Sequence, residues 1–268
     1  MKRALNCLFS ELEQIIVCKD PTEKCKATRN LVRGFEEDHL EYRRKPIDTL
    51  LPGYPSTLQL VAPRDLKRRG ISTQEGRNIL LHAVAHIEFN AINLALDAAY
   101  RFIDQSYDYY KDWLRVANDE ARHFSMIRAY LNKHGCDYGD YPAHNGLWEM
   151  AVKTQHDILA RMALIPRVLE ARGLDVTPGM IKRLEDAGDS EAVDILKVIY
   201  KDEIEHVDIG SKWFKHHCNE RNLEPRSTFL RMIETHMHGE LRGPFNLEAR
   251  LMAGFDETEM RTIDEKFG

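Results

Sequence analysis

Asp119-Glu120-Ala121-Arg122-His123 and Asp202-Glu203-Ile204-Glu205-His206 are the stretches on which the reading of this chain turns. Each places Glu-x-x-His directly after an aspartate. Each also follows a lone glutamate, Glu88 or Glu170, at nearly equal distances of 32 and 33 residues. In a helix, residues three apart project from one face about one turn apart. The chain therefore repeats a half-site and offers four carboxylates and two imidazoles. One Glu-x-x-His match alone says little. About one is expected by chance in a chain of this length, because the pattern is only a local helix spacing. Glu36-Glu37-Asp38-His39 is a third match, lies outside the long helices, and reads as accidental.

The other two matches differ in their setting. Glu88 lies between Val84, Ala85, Ala91 and Ile92, and Glu170 lies among Ala163, Pro166 and Arg167. A glutamate on an apolar stripe must be paired, protonated or metal-bound. Four of them repel one another unless cations neutralise them. Oxygen and imidazole donors suit iron or manganese, and the lack of cysteine ligands argues against soft-metal chemistry. The plainer alternative makes all six residues surface ion pairs. That serves for one motif and explains the repeated set poorly.

Working outward, Ser72-Thr73-Gln74-Glu75 is a capping-box sequence that opens a first long helix through Leu80, Leu81, Val84, Ala85, Glu88, Ala91, Ile92 and Ala95 at helical period. A second long helix spans about 107–133 and stops at His134-Gly135. About a dozen residues with Gly135, Gly139, Pro142 and Gly146 follow, where a bundle of two hairpins places its crossover. A third long helix is expected over 147–172, ending at Gly173. A short helix with Thr177 as cap and Pro178 in its first turn comes next. A fourth long helix follows over 190–218, capped by Asp189 or Ser190. Smaller helices are expected over 225–239, 246–253 and 257–266. At the other end, one helix over 3–17 precedes another opened by Asp20-Pro21-Thr22-Glu23 and fading near Arg33-Gly34. Residues 46–70 read as an ordered strap carrying Leu50, Leu51, Leu58, Leu60 and Val61, a length that is unusual without regular structure. No segment alternates as a strand does. The expectation is an all-α single domain over 1–268. It comprises N-terminal helices and strap (1–70), a four-helix bundle (72–218) and C-terminal helices (219–268).

Composition narrows the class. Net charge is −5, from 38 basic and 43 acidic residues, so nucleic acid is not indicated. The clusters Arg64 with Lys67-Arg68-Arg69, and Arg43-Arg44-Lys45, read as solvated loop charge, with a phosphate-bearing partner as the alternative. Cys7, Cys18, Cys25, Cys136 and Cys218 are odd in number and scattered, and none forms a CxxC pair. That fits a reducing cytoplasmic compartment. No uncharged apolar run reaches the about 18 residues of a membrane span, and the N-terminus reads as an amphipathic helix rather than a signal peptide.

Further residues admit two readings each. His86, about 200° round the helix from Glu88, faces away from the ligands and reads as a hydrogen-bonded histidine. His156 lies about 21 Å along the axis from Glu170, too far to ligate. Tyr130 and Tyr200 suit the core or electron transfer. Pro166 removes a backbone donor four residues before Glu170 and should kink or bulge that helix. Ala91, Ala95, Ala163 and Gly210 leave room for a substrate or allow close helix packing.

The chain resembles the ferritin-like superfamily of dinuclear iron carboxylate proteins, and within it the DUF455 family. The resemblance rests on His82-Ala83-Val84-Ala85-His86-Ile87-Glu88, Asp112-Trp113-Leu114-Arg115-Val116 running into Asp119–His123, Pro142-Ala143-His144-Asn145-Gly146-Leu147-Trp148-Glu149, Arg167 through Met180, and Gly243-Pro244-Phe245-Asn246. A tRNA hydroxylase acting on a hypermodified adenosine is a distant relative by the same resemblance. It implies a ferritin-like four-helix bundle. It implies Glu88, Glu120, His123, Glu170, Glu203 and His206 as metal ligands, with Glu120 and Glu203 bridging. It also implies Asp119 and Asp202 as acids that each orient a histidine of the opposite half-site. Two iron ions, or Fe/Mn or Mn/Mn, are the expected cofactor. The expected activity is O2-dependent hydroxylation or oxidation of an unidentified small-molecule or modified-base substrate, with an external electron donor and a monomer or dimer as the assembly. The alternative is a ferroxidase or iron-handling protein.

Overall fold

The computed structural model describes residues 6–36, 40–41, 51–66, 70–237 and 241–268. Several sequence expectations fall outside these residues: His39 of the stray motif, Arg43-Arg44-Lys45, residues 46–50 of the strap, Lys67-Arg68-Arg69, positions 3–5 of the first helix and 238–239 of a C-terminal one. The chain is all-α, as expected. It divides into two compact units, Met1–Asn145 and Gly146–Gly268, each a helical bundle. The division falls where the connection after the second long helix ends.

The first unit holds α1 (Leu8–Val17), α2 (Pro21–Glu36), α3 (Gln74–Arg101) and α4 (Tyr107–Lys133). The caps explain where these helices begin. Asp20 Oδ1 accepts from the amides of Thr22 and Glu23, and Ser106 caps α4. On α3 the cap is Thr73, one residue later than the capping box placed it, with its hydroxyl accepting from Gly76 N at 3.1 Å. α2 runs on past Gly34 to Glu36. The N-terminal helix begins only at Leu8, because Asn6 and Cys7 (β1) pair in parallel with Leu40 and Glu41 (β2).

α3 is buried on nearly every side from Leu81 to Arg101, as a core helix flanked by neighbours must be. That burial explains why its composition is long and apolar enough to cross a membrane. α4 lies along it, α1 packs on α3, and α2 packs on α4. Phe89, Leu96 and Phe124 are wholly inside, each worth about 1.5–3 kcal/mol of burial. The strap is anchored at several points. Gly53 N donates to Ile16 O at 2.8 Å, and Val61 N and Ala143 N exchange bonds with Ala143 O and Gln59 O. Leu51 and Leu60 on it are exposed, and at Leu60 the bonds of Gln59 and Val61 to Ala143, rather than apolar burial, fix the chain.

The second unit corrects the third-helix expectation. In place of one helix over 147–172 there are α5 (Gly146–Lys153), α6 (Ile158–Leu164), a π-helical segment (Ile165–Glu170) and α7 (Ala171–Asp186). The break at 154–157 is made by Asp157, whose carboxylate caps α6 at Leu159 N. Gly173 does not stop the helix and Thr177 caps nothing, since α7 passes through both and through Pro178. A proline there strips Leu174 O of its helical donor. The Asn246 side-chain amide supplies a replacement at 3.1 Å. α8 (Ser190–Glu220), capped by Asp189, packs along α7, and α9 (Pro225–Met237), α10 (Leu247–Met252) and α11 (Glu257–Phe267) complete the unit.

Candidate metal centre

In the first unit, Glu88 comes from the middle of α3 and Glu120 and His123 from the middle of α4. All three are buried, with exposures of 3 %, 1 % and 0 %. His123 Nδ1 stands 3.1 Å from Glu88 Oε2 and 3.4 Å from Glu120 Oε2. One ligand atom from each lies within 4.8 Å of the others, a spacing that suits a shared cation. Burial, reinforced by the neighbouring Glu120 carboxylate, pushes Glu88 up to about 8. Burial opposes charge on His123, but hydrogen bonds to Glu120 and Glu88 outweigh it and hold the ring up to about 11. The three groups concentrate charge that a cation or shared protons must balance.

In the second unit, Glu203 and His206 sit one turn apart on α8, with His206 Nδ1 3.5 Å from Glu203 Oε1. His206 is buried and Glu203 is half-buried. In both units, then, the imidazole turns the same nitrogen, Nδ1, toward the carboxylate three residues earlier. Glu170 is half-buried and ends the π segment, which packs on α8. Asp119 and Asp202 are half-buried beside their glutamates, and Arg122 Nη2 reaches Asp119 Oδ1 at 3.4 Å.

The bulge expected at Pro166 is the π segment itself. Gly210 on α8 makes it possible, since a Cβ there would meet the Pro166 ring at 2.2 Å. Of the two readings of that glycine, close packing is the one realised. Arg167, inside the same segment, is fully buried. Both oxygens of Glu259 on α11 accept from its Nη2 at 2.8 Å, and Ser211 Oγ accepts from its Nε at 3.1 Å. Phe214, Phe229 and Phe255 enclose the guanidinium at 4.8, 4.1 and 4.4 Å. Sequence reading passed over this anchor. Its only signal is an arginine on an apolar helix face.

A second anchor joins two of the motif stretches quoted above. Asp175 accepts a two-toothed pair from Arg250, Nε at 2.9 Å and Nη2 at 2.8 Å, and accepts Asn246 N at 2.9 Å. The Asn246 amide also donates to Tyr200 Oη at 2.9 Å. These bonds account structurally for the Gly-Leu-Asp-Val-Thr-Pro and Gly-Pro-Phe-Asn stretches. Tyr130 is buried and accepts from Gln74 at 3.1 Å. His86 is hydrogen-bonded, as expected: its Nδ1 lies 2.8 Å from Tyr138 Oη, and its Nε2 lies 3.0 Å from both His144 O and Asn90 Nδ2. Burial lowers it to about 4, so it stays neutral. Among the described residues Cys18, Cys25, Cys136 and Cys218 are free thiols.

Fold and side chains together define an all-α protein with a buried carboxylate–imidazole cluster fit for a metal. The chain belongs to the family described as "Protein of unknown function (DUF455)", whose model matches residues 17–261. It is 39% identical over 277 residues to an uncharacterized protein of Haemophilus influenzae (strain ATCC 51907 / DSM 11121 / KW20 / Rd), covering 99% of this chain and 96% of that one. No solved structure matches it.

Proposed function

We propose that Glu88, Glu120, His123, Glu170, Glu203 and His206 together hold two iron or manganese ions, and that the protein is an oxidoreductase that activates O2. The buried Glu88–Glu120–His123 cluster, with Nδ1 3.1 and 3.4 Å from two carboxylates, carries the reading. The repeated spacing and the same Nδ1 orientation at His206 support extending it to all six residues. The donor set fits the ions: hard carboxylate oxygens and imidazole suit Fe(II) and Mn(II). Ions bound there would supply the O2 chemistry, in which one oxygen atom enters a substrate C–H bond and the other becomes water, using two electrons and two protons from an external donor.

The chain's own residues do the rest. Glu88, Glu120, Glu170 and Glu203 would hold the ions through carboxylate oxygens, and His123 and His206 through ring nitrogens. Asp119 and Asp202 orient the histidines by accepting their remaining N–H, which fixes the tautomer. Burial excludes water and strengthens each charge interaction. The substrate is a small molecule or a modified base.

Oxygen consumption by protein loaded with Fe(II) under anaerobic conditions, with a chemical reductant present, tests the reading. Sustained uptake that Glu120→Ala abolishes without unfolding is the expected result. Equal uptake by the variant would overturn it. Uptake of hundreds of irons into a large assembly would replace it with iron storage.

A further inference from the structure

We infer a second, separate metal site at the C-terminal end of α8, formed by His216, His217 and Glu220, which takes a single borderline transition-metal ion such as Zn2+, Ni2+ or Cu2+. The three ligand atoms lie within 4.8 Å of one another. His217 Nδ1 is 2.8 Å from Glu220 Oε2, and His216 Nε2 is 3.4 Å from Glu220 Oε1. Two donors each about 2.0–2.1 Å from a tetrahedral zinc stand about 3.3–3.4 Å apart. The His216 Nε2–Glu220 Oε1 distance already has that value, and the His217 Nδ1–Glu220 Oε2 distance reaches it with a half-ångström opening, each imidazole facing its own carboxylate oxygen.

The set is held in place before any ion arrives. His217 is buried. The Trp213 indole packs edge-on against His216 at 5.1 Å and lies 6.3 Å from His217. The two imidazoles meet edge to face at 5.0 Å. Glu220 is drawn to both rings, with one carboxylate oxygen facing each imidazole. The Arg221 guanidinium engages Asp157 at 2.8 Å instead. Two imidazoles and one carboxylate leave open positions on the ion, facing the solvent that His216 and Glu220 already meet. Imidazole donors suit Cu2+, Zn2+ and Ni2+. The site is richer in imidazole than the cluster around Glu120, and it involves none of those residues.

Trp213 makes the site readable. Cu2+ added to the full-length protein should quench Trp213 emission at one ion per site, and equilibrium dialysis with Zn2+ should show one bound ion per chain fewer in Glu220→Gln than in the wild type, a difference that persists in the Glu120→Ala background. Both ligands chosen for mutation are exposed, so His216→Ala and Glu220→Gln should keep native circular dichroism. Each should raise the half-saturating Cu2+ concentration at least about tenfold, since even the loss of an outer partner of a ligand costs about 10–100-fold. Trp213→Phe should remove the quenchable component while leaving Zn2+ binding intact. Identical titration curves for the wild type, His216→Ala and Glu220→Gln would overturn the assignment. So would loss of the Zn2+ ion in Glu120→Ala with retention in Glu220→Gln.

Discussion

Replacing Glu259 by glutamine removes one charge from a pair that the fold seals from water. Arg167 and Glu259 are 1 % and 3 % exposed, and the guanidinium reaches both carboxylate oxygens at 2.8 Å. Burial already works against the charge on Arg167. Breaking a buried pair from one side costs about 3–5 kcal/mol, because the remaining charge is left uncompensated. The three phenyl rings around Arg167 still attract the cation, at about 0.5–2 kcal/mol each. The loss should therefore fall near the lower end, about 3 kcal/mol, or roughly 6–12 °C in melting temperature for a chain of this size. Chemical denaturation of wild type, Glu259→Gln and the double variant Arg167→Met/Glu259→Leu measures it. The double variant should regain most of the loss, since a buried pair exchanged for apolar groups is often neutral. A loss under about 1 kcal/mol in Glu259→Gln, or a double variant no better than the single, would refute the reasoning. Arg167 sits three residues before Glu170 in the π segment, so the single variant should also bind less metal at the proposed centre.

Three more outcomes follow from the same structure. Gly210→Ala drives a methyl into the Pro166 ring and should cost about 1–3 kcal/mol by overpacking, seen as a lower denaturation midpoint; an unchanged midpoint would contradict the close packing. Asn246→Ala removes the α10 cap and the donor to Leu174 O. It should cost about 2–4 kcal/mol, combining a cap with a buried carbonyl left unmet, and thermal unfolding checks this. Lys24 is buried, with its amine bonded to Ile16 O and Asn93 Oδ1, and desolvation lowers it to about 7. The unfolded lysine titrates near about 10.4, so the unfolded chain binds more protons between those values and stability rises with pH from about 7 upward. Between pH 7 and 9 the rise should approach about 2 kcal/mol and should vanish in Lys24→Met. Parallel denaturation curves for the two proteins across that range would contradict it.

The helices that local chemistry punctuates were readable from the sequence. Asp20 and Asp189 cap where short polar side chains precede apolar periodicity, and α4 begins and ends at the expected residues. The chain was misread where a distant residue overrides a local signal. Gly173 and Pro178 look like a helix end, yet Asn246 repairs the carbonyl that Pro178 strips, and the helix continues. Nothing near residue 174 announces that donor. The break at 154–157 was missed because the apolar pattern runs across it and only Asp157 marks the restart. The cluster of Glu88, Glu120 and His123 was legible because the helical period and a charged residue on a buried stripe are both local facts. The roles of Arg167 and Asn246 were not, because each depends on partners from 44 to 92 residues away.

The central claim is most directly met by counting tightly bound Fe(II) per chain under anaerobic conditions. The Glu220→Gln background keeps the His216–His217 pair from contributing. The account predicts two ions per chain, with Glu120→Ala and His206→Ala each failing to reach that count while keeping native circular dichroism. Full stoichiometry in either variant, or less than one ion in the parent protein, would contradict it.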